Sequence, residues 1–147
     1  MRKGAAVMRR GVGFFVFIIL VFLAGCNSAQ SPTSALDLVD REVDWKKLDA
    51  VQVQFEQTYV DIEDIEGLRG ILDDVILDDE PQPASKGWTF ALRFGKSCPS
   101  ALTLTKVSEK RYQIEYKDLE YKVNEHGPEV FEYLLDIFQQ QGIQIHP

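Results

Sequence analysis

From Val51 onward the apolar residues switch between a spacing of two and a helical spacing of three to four, and that switch limits which segments can be strands and which helices. Val51, Val53 and Phe55 alternate with Gln52, Gln54 and Glu56, a pattern that suits a half-buried strand. Ile62, Ile65, Leu68, Leu72, Val75 and Ile76 then recur at helical spacing and predict a first helix from Asp61 to about Asp78. Asp61 is its expected N-cap, with Glu63 and Asp64 placed where the helix dipole favours negative charge. Pro81 and Pro83 cannot continue the helix, so residues 79–87 read as a loop. Gly67 and Gly70 fall inside the helix, where each costs about 1 kcal/mol relative to alanine, and close packing on a sheet is their expected use.

Four further alternating runs follow: Trp88-Phe90-Leu92-Phe94, Leu102-Leu104, Tyr112-Ile114-Tyr116 and Leu119-Tyr121-Val123. Short turns at 95–100, 108–110 and 117–118 join them, which predicts an antiparallel meander. Gly127-Pro128 opens a last helix with the apolar stripe Phe131, Leu134, Leu135 and Phe138, and Gly142 is its expected stop. The expected fold is α+β: a five-stranded, mainly antiparallel sheet in β-α-β-β-β-β-α order, with both helices on one face. The opposite face, with Gln52, Gln54, Arg93, Thr105, Gln113 and Glu115 among its side chains, is expected to meet solvent or a partner. Tyr112, Tyr116, Tyr121 and Trp88 share parity with the buried positions and are assigned to the core rather than to a ligand groove.

The chain ahead of this unit has a different character. Arg2, Lys3, Arg9 and Arg10 precede an unbroken apolar run over residues 12–23, the layout of a secretory signal. A permanent span needs about 20 apolar residues and this run is shorter, so an uncleaved N-terminal anchor is the less favoured reading. The run ends in Leu23-Ala24-Gly25-Cys26, which resembles the lipobox of bacterial lipoproteins. That resemblance implies a diacylglyceryl group on the Cys26 sulfur and cleavage just before it, with the general secretory route favoured over a twin-arginine one. Met8 is an alternative start that alters nothing downstream. The expected organisation is a signal peptide at 1–25, a tether with a short helix at 26–47, and one α+β domain at 48–147, similar in pattern to small domains carried by bacterial lipoproteins. Within the tether, residues 27–35 are small and polar, and residues 36–48 have loose helical spacing.

Signal removal takes away four basic and no acidic residues, so a net charge of −7 becomes −11. Such a product is a poor ligand for nucleic acid or for anionic lipid surfaces. Attachment to the membrane must then come from the lipid on Cys26, since two acyl chains hold where one does so only marginally. The expected location is the extracytoplasmic side of the cell membrane.

The remaining residues offer little for chemistry. With Cys26 lipidated, Cys98 is the remaining thiol; its alternatives are an exposed reactive group in the turn Lys96-Ser97-Cys98-Pro99 or, favoured, a small residue tucked against the sheet. His126 and His146 have no zinc-type spacing, and in Asp61-Ile62-Glu63-Asp64-Ile65-Glu66 an isoleucine occupies the third calcium-ligand slot of an EF-hand. A second acidic group, Asp73, Asp74, Asp78, Asp79 and Glu80, is assigned to solvated helix ends and loop. Neither a nucleophile elbow nor a phosphate-binding loop is present. No catalytic, metal or cofactor residue is therefore assigned. The expected function is a non-catalytic, lipid-anchored binding module with an envelope protein partner, acting through the polar sheet face or a sheet margin. The alternatives are an accessory subunit of a membrane enzyme or transporter, contacting it through residues 36–45, and a redox protein using Cys98.

Overall fold

The computed structural model describes residues 33–146, so the signal, Cys26 and the tether up to residue 32 lie outside the described residues. The elements in chain order are α1 (Ala35–Val39), a 3-10 turn (Trp45–Lys47), β1 (Val51–Phe55), β2 (Thr58–Ile62), α2 (Ile65–Asp74), β3 (Ile76–Pro81), β4 (Trp88–Arg93), β5 (Leu102–Ser108), β6 (Arg111–Tyr116), β7 (Leu119–Glu125) and α3 (Gly127–Gln140). The class is α+β, with one antiparallel sheet in the order β2-β1-β4-β5-β6-β7-β3. Seven strands replace the five expected.

The two extra strands overlap the ends of the segment read as a long helix, β2 at residues 61–62 and β3 at residues 76–78. Thr58-Tyr59-Val60-Asp61-Ile62 folds back on β1, pairing Val60 with Val53 and Ile62 with Val51. Ile62 fits a helical stripe and a strand alternation equally well, and the turn at Glu56-Gln57, with Glu56 at φ 50°, settles it as a hairpin. Helix α2 therefore starts late, capped by Asp64 rather than Asp61: Asp64 Oδ1 accepts the Gly67 N–H at 3.0 Å. It ends at Asp74, and the apolar run after it joins the sheet as β3 beside β7. Pro81 is tolerated there because β3 is a margin strand.

The meander β4 to β7 and helix α3 form as expected. Gly142, at φ 77°, ends α3 in a Schellman arrangement, with Ile143 N–H donating to Phe138 C=O and Gly142 N–H to Gln139 C=O. Gly127 is needed at the other end, since a Cβ there would lie 2.8 Å from the Tyr112 ring. One core joins the apolar sheet face to both longer helices: Leu68 and Leu72 from α2, and Val130, Phe131, Leu134 and Phe138 from α3. Phe90 lies at its centre, 5.0 Å from Phe131 and 5.6 Å from Phe138 between ring centroids. Trp88 departs from the core expectation: it stacks on Phe55 at the rim and is 39% exposed.

Packing also reaches upstream of the expected boundary at residue 48. Ala35, Val39 and Val43 are buried, and Ser34 and Asp37 form a capping box at the start of α1. Ala35, assigned to the tether by composition, is a core residue. Residues 33–35 also lie along the outside of β3, with Ala35 N–H donating to Val75 C=O at 2.9 Å and Leu77 N–H to Thr33 C=O at 3.1 Å.

The polar face is not uniformly open. After Pro81 the chain crosses it as a strap toward β4, and Gln113, expected in solvent, is fully buried beneath. The Gln113 side chain binds the strap as a second backbone would: Oε1 accepts the Ser85 N–H at 3.1 Å, and Nε2 donates to Pro83 C=O at 3.3 Å. Thr105 is buried with it, and a Cβ at Gly87 would lie 2.1 Å from the Lys106 carbonyl oxygen, so the strap touches the sheet there.

Two substitutions test this description. Gln113→Ala leaves two backbone groups of the strap unpaired and should cost about 1–3 kcal/mol in denaturant unfolding, with faster proteolysis between residues 82 and 87. Gly70 was expected to pack on the sheet, but a Cβ there would meet nothing within 4 Å. Gly70→Ala should therefore stabilise the protein by about 1 kcal/mol in the same assay.

Candidate functional site

Cys98, the thiol singled out in the sequence, is buried in the loop after β4. Its Sγ lies 3.3 Å from Tyr116 Oη, and that hydroxyl donates to Glu42 Oε2 at 2.8 Å; Lys117 binds the other oxygen of Glu42. Burial pushes the Tyr116 phenol well above its usual range, helped by Cys98 and Glu42. The Glu42 carboxyl is lowered by its hydrogen bonds from Lys117 and then Tyr116. The cluster ties the segment after α1 to the β6–β7 turn, and no histidine belongs to it. His126 instead sits at the N-cap of α3 at φ 62°, beside Glu129, and His146 is exposed near the C-terminus.

The acidic residues are divided among several elements. Asp64 caps α2, Asp61 stands on β2, and Asp78, Asp79 and Glu80 lie on β3. Among the described residues no three His, Cys, Asp or Glu side chains converge as a metal site, and no helix is long and apolar enough to cross a membrane.

A recognition surface is better developed at the β2 margin. β1 bonds to β2 through one set of alternate residues and to β4 through the other. The two-residue hairpin makes Thr58, Val60 and Ile62 the residues that bond inward, so Tyr59 and Asp61 turn their N–H and C=O groups out from the sheet. No described segment pairs with them. A groove of about 740 Å³ runs along this margin, walled on the helical side by Tyr133, Asp136, Ile137 and Gln140 of α3. Asp61, Glu63, Asp64 and Asp136 line it, and it contains no basic side chain. Burial, then the Asp64 carboxylate, raises the Tyr133 phenol, so it remains a hydrogen-bond donor at the edge of this acidic groove. On the polar face Arg93, two strands in on β4, donates to Gln54 at 3.2 Å and lines another pocket together with Asp61.

The groove is not legible in the sequence because residues 58–62 carry no hairpin signal of the Asn-Gly type and Ile62 also fits a helical stripe. The alternation of Thr58, Val60 and Ile62 was the available sign. The chain matches no family model, no curated protein and no solved structure.

Electrostatics on the opposite margin give a pH test. Glu120 is buried near the start of the strap and faces Glu115 across the β6–β7 ladder; burial first, and Glu115 second, raise its carboxyl above 4.5. A raised folded value means that stability is intact below the ordinary value and is lost as pH rises through the folded one. Glu120→Gln should therefore raise the melting temperature at neutral pH by a few degrees, and the gain should vanish near about pH 3, where both forms are uncharged.

Proposed function

We propose that the protein is a lipid-anchored, extracytoplasmic interaction module that works by binding rather than catalysis. The anchor rests on Leu23-Ala24-Gly25-Cys26, with Cys26 as the lipidated residue and the cell membrane as the address. The binding role rests on the inequality of the two sheet margins. β3 carries residues 33–35 along its first half, and Pro81 at its end has no N–H to offer a further strand. β2 carries nothing among the described residues and has a groove beside it. An open margin of this kind is a template for pairing with another chain. The strap fits the same assignment, since it buries Gln113 and Thr105 on the polar face while Gln52 and Arg93, toward β2, stay exposed.

The alternative contact through residues 36–45 has less to offer a partner. Val39 and Val43 are buried in the protein's own core, and Leu36, Leu38 and Trp45 pack against it. Trp45 also donates through Nε1 to Asp40 at 2.9 Å and lies under the Arg69 guanidinium.

Two measurements test the proposal. Cys26→Ser should accumulate as a heavier, unlipidated precursor on gels of labelled cells; normal maturation would remove the anchor from the account. Photocrosslinkers placed over the surface of the wild-type protein in intact envelopes should capture one envelope protein; recovery of no adduct from any position would remove the binding role.

A further inference from the structure

The β2 margin specifies more than a place to bind. Tyr59 and Asp61 present outward donors and acceptors at alternate positions, which is what an extended chain needs to join the sheet as a further strand. An added strand would set one parity of its side chains opposite Val60, against Tyr133 and Ile137 of α3, and the other beside Tyr59 and Asp61. The first environment sets the apolar surface of Tyr133 and Ile137 beside the Asp136 carboxylate, and the second carries the Asp61 carboxylate. Four carboxylates and no cation line the groove, so an incoming strand with lysine or arginine on one parity matches it in charge as well as in shape.

We propose that the groove between β2 and α3 takes an extended, alternating apolar and basic segment of a partner protein by strand addition. This rests on the interaction-module reading and names its ligand class. A second copy of the chain is the competing occupant, since two margins can pair with each other. It would bring a second set of the same carboxylates, Asp61, Glu63, Asp64 and Asp136, into the seam. Like charges opposed across a strand pair destabilise it.

The test uses the lipidated mature protein in neutral detergent and a fluorescent heptapeptide alternating valine and lysine. Its anisotropy should saturate, and N-methylation of the peptide's alternate amides should weaken binding about tenfold by removing the ladder bonds. Asp61→Asn should weaken binding several-fold and flatten its salt dependence. Asp61→Pro, which removes an outward N–H without touching the β1 ladder, should weaken it similarly. The proposal is overturned if the N-methylated peptide binds as well as the parent, which is charge adsorption only, or if no binding is seen. It is equally overturned if sedimentation shows a dimer that Asp61→Pro dissolves while the peptide does not bind. If crosslinkers elsewhere on the surface still capture an envelope protein when the peptide fails, this inference falls and the interaction-module reading stands.

Discussion

The connection from β3 to β4 is the constraint on which the rest of the molecule depends. These strands are consecutive in the chain, yet β5, β6 and β7 lie between them in the sheet. Crossing four inter-strand spacings requires about 19 Å, and the residues from Pro81 to Trp88 reach at most about 25 Å when fully extended. The strap is therefore nearly taut and must lie flat. Its two prolines favour extended backbone, and its glycine allows the closest approach to the sheet. The Gln113 amide meets the backbone of Pro83 and Ser85, groups that would otherwise be held over a dry surface without partners.

That crossing makes the molecule two-sided. At the β3 end, the strap and residues 33–35 occupy backbone groups and polar surface. At the β2 end the sheet simply stops, with α3 alongside. The aromatic core is shared between β1, β4 and α3 through Phe55, Phe90, Phe131 and Phe138, and Phe131 extends it to Tyr112 of β6. The difference lies in the sheet margins and the polar face, where recognition is built.

Sequence patterning was legible wherever one period applied at a time. Residues 88–125 alternate cleanly between turns, and 127–142 carry a start, a stripe and a stop, so the meander and the last helix follow from spacing and turn chemistry. Residues 58–81 obey two periods at once. Ile62 and Ile76 belong to a helical stripe by position and to strands by pairing, and only their partners, Val51 on one side and Glu125 on the other, decide. The burial of Gln113 was beyond local reading, because it depends on a segment about thirty residues away whose path is dictated by sheet order. The same holds for the groove: its residues are individually ordinary, and only the fold brings Asp61 and Asp136 to one margin. For Cys26 the position is reversed, since its role is carried by local sequence alone.

One end of the sheet is closed by its own chain and the other is open. Residue-resolved amide hydrogen exchange on the partner-free protein addresses it directly. The account predicts rapid exchange at Tyr59 and Asp61, with strong protection at their neighbour Val60 and at Leu77, Gln82 and Ser85, whose N–H groups are bonded within the β-hairpin, along β3 and under the strap. Protection at Tyr59 and Asp61 equal to that at Val60, or free exchange at Ser85, would contradict it.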